Sequence, residues 1–347
     1  MKKNQSKGRL IEDRAASSVA IHQEPPAGDD IGFMPAALCH VFFPYQEPPA
    51  GTDFWTRRSG DYILSIAAVP GTDPRTNERI NFGVPAGPKP RLILAALNSI
   101  ALAKQSPELQ FGNSLTDFVG KTLQLNTDGR TINKVKAEMT KLARAHVEIA
   151  FDNGDGRTFQ DGTKIVRGLD LTWSKSGNQF PLWGNHLRFS DDYFNALQAH
   201  GVPLDMRALR GMTNNAVAID VYSFLAHRLH HLKRPLFLTW VAVKDQFGYT
   251  YAHMDDFKKR FRETLRLVKV MYPAAKIEEI ENKGFFLSHS PPPVLKSQHV
   301  VSKPEALLPP PAPAKPRPRL TKQRSKEAQS VSNVLQTLFP HNDEGGR

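Results

Sequence analysis

Between His253 and Pro273 the sequence leaves little conformational choice. Phe257, Phe261, Leu265, Val268 and Tyr272 recur at the spacing of one helix face, and Lys258, Arg262, Arg266 and Lys269 recur at the same spacing on the neighbouring face. Asp255 and Asp256 stand at the start, where the helix dipole favours acids, and Pro273 closes the run. The spacing predicts a helix that packs along one side and is cationic along the next. A single charged face of this kind is often only a solvated surface, so its meaning depends on what flanks it.

The flanking residues define an order. "AIDVYSFLAHRLHHL" places Ile219, Tyr222, Leu225 and Leu229 on one helix face, and Pro235 ends it. "PLFLTW" reads as a short strand with Thr239 capping the next helix, "VAVKDQFG", which Gly248 terminates. The cationic helix follows, and then "KIEEIENKG" and "FFLSHS" form two strands with Lys283 and Gly284 as the turn. Helix, strand, helix, helix, strand, strand is the order of a winged helix, whose third helix enters the major groove of DNA.

The first half repeats the pattern without repeating residues. "PRLILAALNSIALAKQ", "ELQFG" and "SLTDFVGKTL" read as helix, strand and a helix capped by Ser114. "TINKVKAEMTKLARAHVEI" is a longer helix with Ile132, Val135, Met139 and Leu142 inward and Arg130, Lys134, Lys141 and Arg144 to one side. "VEIAF", "TKIVRGLDLTWS", "FPLWG" and "LRFS" supply strands, and "GDYILSIAA" reads as a buried strand of an N-terminal subregion. The expectation is an α+β protein with tandem winged-helix (helix-turn-helix) domains: a flexible arm over 1–30, a first domain over 31–180, a second over 181–292, and a disordered tail over 293–347. Pro-Pro-Ala-Gly turns recur in "QEPPAGDD" and "QEPPAGTD", and the tail is Pro-rich and basic.

Charge points to a partner. The 347 residues carry a formal net charge of +12, which favours nucleic acid or another anionic surface. Candidate DNA contacts in the second domain are Lys258, Lys259, Arg262, Arg266 and Lys269, with Tyr249 and His253 in support. In the first they are Arg130, Asn133, Lys134, Lys141 and Arg144. Arg suits guanine and Asn suits adenine, and the remaining cations suit phosphates. The lone Cys39 fits a reducing cytoplasm. "LILAALNSIALA" is too short to span a bilayer, and "MKKNQSKGRL" lacks the apolar run of a signal peptide.

Catalysis finds little support. There is no Gly-x-x-x-x-Gly-Lys-Ser/Thr loop for a nucleotide. "HRLHH" has metal-ligand spacing at His227, His230 and His231, but Arg228, Lys233 and Arg234 oppose a cation, and a solvated basic face is the expectation. The acids Asp191–Asp192 and Asp255–Asp256 sit at helix starts, which capping explains. No enzyme activity, metal or cofactor is expected. In the tail, "SVSNVLQTLFPH" spaces Val334, Leu335, Leu338 and Phe339 as one helical face within residues 330–340, a candidate partner-binding segment. Its "QTLF" distantly resembles sliding-clamp-binding peptides.

The runs "FMPAALCHVFFP", "GPKPRLILAALNSIALAKQSPELQFGNSLTDFVGKTL", "VPLDMRALRGM" and "AIDVYSFLAHRLHHLKRPLFLTWVAVKDQFG", continuing into "FKKRFRETLRLVKVMYP", resemble the plasmid-encoded RepA replication initiators over about residues 33–292. The resemblance implies binding to repeated sites in double-stranded plasmid origin DNA. It further implies recruitment of host replication proteins (the helicase or its loader), and a homodimer when the protein represses its own promoter. It supplies no catalytic residue. A DNA-binding transcriptional repressor without an initiation role is the alternative, and it would share the fold.

Overall fold

The protein, seen as a computed structural model, is described over residues 18–295 except 20, 22, 73–75, 113, 153–157 and 171–185. The expected tail and its apolar segment lie outside the described residues. The architecture mixes helices and antiparallel sheets, as expected.

Strand β1 (Ile31–Pro35) is followed by the hairpin β2 (Phe54–Ser59) and β3 (Tyr62–Ala68), then by the two-residue strands β4 (Gly71–Thr72) and β5 (Arg79–Ile80). Helix α1 (Pro88–Lys104), β6 (Glu108–Gln110), the short helix α2 (Leu115–Asp117, continuing as a π turn through Phe118–Thr122) and α3 (Gly129–Arg144) come next. Four strands follow: β7 (Ala145–Asp152), β8 (Thr158–Lys164), β9 (Val166–Asp170) and β10 (His186–Phe189). After them run α4 (Asp191–His200), β11 (Gly201–Asp205), α5 (Met206–Gly211) and α6 (Ala216–Arg228). The chain then forms β12 (Leu236–Thr239), α7 (Trp240–Phe247), α8 (Met254–Met271), β13 (Ile277–Ile280) and β14 (Gly284–Leu287).

Two small sheets share one topology. β12-β14-β13 and β6-β10-β9 are both antiparallel, and in each the strand after the first helix pairs with the last strand while the middle strand lies outside. β7 does not enter the first of these. It runs straight on from α3 into a different sheet, β2-β3-β7-β8, so a hairpin is inserted before the pair that completes β6-β10-β9. β3 is therefore a central strand with one covered face: Leu64, Ile66 and Ala68 are buried, and the residues between them are only half-buried.

Local signals act where the sequence places them. Ser114 Oγ accepts from Asp117 N–H at 3.0 Å, and Thr239 Oγ1 accepts from Ala242 N–H at 3.2 Å. The second hairpin turn lies two residues earlier than its Lys-Gly suggests. Asn282 takes the left-handed conformation, at φ 55°, between strands ending at Ile280 and starting at Gly284. Gly284 is needed for a different reason: a Cβ there would run into the carbonyl of Leu238 on the paired strand β12.

Helices α1 and α6 are buried almost all round, as centre-of-core helices are. The aromatic stripe of α8 packs as its spacing predicts, with Phe257, Phe261, Val268 and Tyr272 all buried. Phe261 meets the rings of Phe257 at 5.3 Å, Phe285 at 5.7 Å, and Trp240 and Phe247 both at 5.9 Å. Phe261→Ala is expected to cost roughly 3–5 kcal/mol, read as a lowered urea midpoint at unchanged slope.

The two halves of the chain share core and hydrogen bonds. β1 pairs with β11 from Ile31↔Asp205 to Pro35↔Gly201. Arg91 of α1, 2% exposed, binds Asp220 of α6, also 2% exposed, at 2.5 and 2.7 Å, and it donates further to the carbonyls of Phe43 and Gly87. The end of the expected flexible arm is tied as well: Asp30 pairs with Arg210 at 2.6 Å, and Glu24 O accepts from Arg207 at 3.0 Å.

His227 departs from the expected solvated face, although Arg228, His231, Lys233 and Arg234 are exposed as expected. The ring of His227 turns inward, its Nδ1 3.0 Å from His40 Nε2, and His40 is stacked on Tyr62. Burial, then Arg228, lowers the His40 pKa to about 4. Burial, then His40, His231, His230 and Arg228, lowers that of His227 to about 3. Free imidazole titrates near 6.5, so the unfolded chain takes up these protons first and stability is full above that pH. A falling urea midpoint is expected as the pH drops from about 6.5 towards 4, with His40→Gln flattening the dependence.

Candidate nucleic-acid interface

The surface around α8 carries most of the expected contacts. Asp255, Asp256, Lys259, Arg260, Glu263, Arg266 and Lys269 are exposed, and Lys258 is half-buried with Nζ 5.9 Å from the Trp240 ring centroid. Lys259 and Arg266 form no ion pair among the described residues. Arg260 instead pairs with Glu263 at 3.0 Å, and Lys269 donates to the Ile277 carbonyl at 3.0 Å. His253 is exposed at the N-cap position of α8.

Two expected contacts are otherwise engaged. Arg262 lies over Trp240 at 5.1 Å and grips Glu279 of β13 with bonds of 2.7 and 2.9 Å. These hydrogen bonds raise its pKa, and the pair fixes the hairpin against the helix. Tyr249, 41% exposed, is held by the N-terminal residues. Its hydroxyl accepts from Tyr45 N–H at 3.0 Å, and its ring covers the Arg57 guanidinium at 4.4 Å.

In the first half, α3 is capped by Asp128, whose carboxylate accepts from Thr131 N–H and the Thr131 hydroxyl at 3.0 and 2.9 Å. These bonds hold the Asp128 pKa below the usual carboxylate value. Arg130, Asn133 and Lys134 are exposed along the first two turns. The second half of the helix is covered. Lys141, 7% exposed, is neutralised by Glu138 at 2.9 Å and Glu47 at 2.5 Å. Arg144 stacks on Phe82 at 4.6 Å with its guanidinium against Gly71. Lys141 and Arg144 thus leave the cationic face, because acids and rings distant in sequence reach them. Lys89, unremarked in "GPKPR", lies near Lys134; burial, then that neighbour, lowers its pKa.

No cluster of three or more His, Cys, Asp or Glu suited to a metal occurs among the described residues. Cys39 is fully buried, and burial pushes its thiol pKa up. No helix among the described residues is long and apolar enough to cross a membrane.

The fold and this surface define an α+β protein with two matching helix-and-sheet units, each presenting a helix with exposed cations. Residues 84–241 match the family described as "Plasmid encoded RepA protein", so the resemblance to plasmid-encoded RepA proteins is shown over the segment from the approach to α1 through the start of α7. Two solved structures are distantly similar. "Crystal structure of SeMet derivatives of domain2 and domain 3 of RctB" has 10% identity and a TM-score of 0.45, covering 73% of this chain and 96% of that one. "Crystal structure of the RctB domains 2-3, RctB-155-483" has 11% identity and a TM-score of 0.44, covering 72% and 94%. At that distance neither carries an argument about this chain. No curated protein matches the sequence.

Proposed function

We propose that this chain is a plasmid replication initiator that binds repeated sites in origin DNA through two winged-helix units and recruits host replication proteins, without catalysing a reaction itself. One observation carries the reading: α3 and α8 occupy the same place relative to sheets of the same order, and both expose cations, within a chain that matches the RepA family.

In the proposed complex the first turns of each helix face base edges. Arg130 and Asn133 in the first unit, and Lys258 and Lys259 in the second, are the side chains placed there, while Arg266, farther along α8, faces the phosphate backbone. β9–β10 and β13–β14 are the wings. The first unit then runs through β10 to Phe189, past the boundary at residue 180, because β10 completes its sheet. Two weak units on one chain gain affinity through effective concentration. The protein is proposed to work in the cytoplasm, to dimerise when it represses its own promoter, and to contact the helicase or its loader. The segment around Leu335 and Phe339 is proposed to contact a replication partner such as the sliding clamp.

DNase footprinting on the sequence flanking the coding gene tests the reading. Several protected direct repeats are expected. A single protected palindrome would make the protein a repressor, and no protection anywhere in the flanks would remove the assignment.

A further inference from the structure

A buried cation on the N-terminal sheet grips the turn in front of α8. Arg57 of β2 is 5% exposed. Its Nη2 donates to the carbonyl of Gln246, in the last turn of α7, where carbonyls lack partners within the helix and positive charge is favoured. Its guanidinium sits 4.4 Å from the ring centroid of Tyr249, 5.3 Å from that of Tyr45 and 6.0 Å from that of Phe42. Nε and Nη1 meet no hydrogen-bond acceptor among the described residues, so rings and one carbonyl hold the charge. Tyr249 closes the arrangement by accepting from Tyr45 N–H, and Trp55 meets its ring edge-on at 6.2 Å.

We infer that Arg57 is a positioning residue: through Gln246 and Tyr249 it sets the direction in which α8 leaves the turn, and so couples the N-terminal sheet to the DNA-facing helix of the second unit. The inference rests on the DNA-binding reading above. Arg57 touches no exposed cation of α8 and is too buried to meet a phosphate. It acts on the end of α7 and the turn that together fix the first residues of α8, where Lys258 and Lys259 stand. A charged residue at this depth with two nitrogens that meet no acceptor is costly to keep as mere packing. The cost is understandable if the charge aims a neighbouring element.

The test uses the full chain as wild type, Arg57→Met, Tyr249→Phe and Tyr249→Ala, with a duplex taken from the DNA flanking the coding gene. Arg57→Met should weaken binding by at least about tenfold, as one of two tethered modules is mis-aimed. It should also lose protection over one half of each site, with the slope of affinity against salt flattened because the phosphates of that half are no longer neutralised. Tyr249→Phe keeps the ring and should bind nearly as wild type, whereas Tyr249→Ala should resemble Arg57→Met. In the free protein, spin labels at Thr56→Cys and Lys259→Cys should give one narrow distance distribution, broadened by Arg57→Met; the native thiol is buried and does not compete.

Unchanged binding and an unchanged distance distribution in Arg57→Met would overturn the inference. So would weakened binding with an unchanged distance distribution, because the loss would then not come from the aim of α8. If Arg57→Met does not fold, Tyr249→Ala decides, and a wild-type footprint there overturns it. A wild-type chain that leaves no footprint removes the proposed function, and the inference with it; a footprint indifferent to Arg57 and Tyr249 removes the inference alone.

Discussion

Replacing Lys258, Lys259 and Arg266 together with alanine is expected to lower affinity for origin DNA on the order of a hundredfold while the fold survives. These side chains lie along the outer side of α8, and the two exposed ones have no ion-pair partner among the described residues, so removing them leaves no buried charge behind. Each phosphate no longer neutralised should flatten the dependence of log affinity on log salt by about one unit. Electrophoretic mobility shifts over a salt series read both quantities. Retained affinity with an unaltered salt slope would take α8 out of the interface. Arg262→Ala should behave differently. Arg262 already pairs with Glu279, so its loss should loosen the hairpin β13–β14, and Glu279→Gln should share part of that effect.

Breaking the Arg91–Asp220 pair is expected to have the largest effect on stability. Both groups are nearly inaccessible, and Arg91 uses its remaining donors on Phe43 and Gly87. Asp220→Ala would leave a buried guanidinium without its counter-charge, at a cost of roughly 3–5 kcal/mol. That is a large fraction of the ~5–15 kcal/mol by which domains are stable, so part of the population should be unfolded at 37 °C. Equilibrium urea unfolding measures it. The double substitution Arg91→Met with Asp220→Leu should recover part of the loss, since no charge is then stranded. It should not recover all of it, because the two carbonyls lose their donor.

Much of the second unit was legible in one dimension. The order from α6 to β14, the Thr239 cap and the Phe257–Phe261 stripe follow from helical periodicity and turn chemistry, which act over a few residues. What stayed hidden depends on contacts across long sequence distances. Lys141 has the spacing of a surface lysine, and only the folded chain brings Glu47 to it. Tyr249 is exposed, as its place beside a cationic helix suggests, but only the folded chain brings Arg57 against its ring. β7 reads as the natural partner strand after α3, yet β3 captures it, and no local signal marks that choice. The exposed cations Arg130, Lys134, Lys259 and Arg266 were legible because nothing distant interferes with them.

The pairing of β1 with β11 has a consequence for synthesis. Residues 31–35 leave the ribosome long before 201–205, so this apolar strand must wait without its strand partner while residues 36–200 are made. Contacts so remote in sequence are closed late and slow folding down. A nascent chain halted before β11 would leave β1 held by α1, through Asn98 and Ser99, with its open edge unpaired, making truncated products prone to aggregate or to be taken up by chaperones.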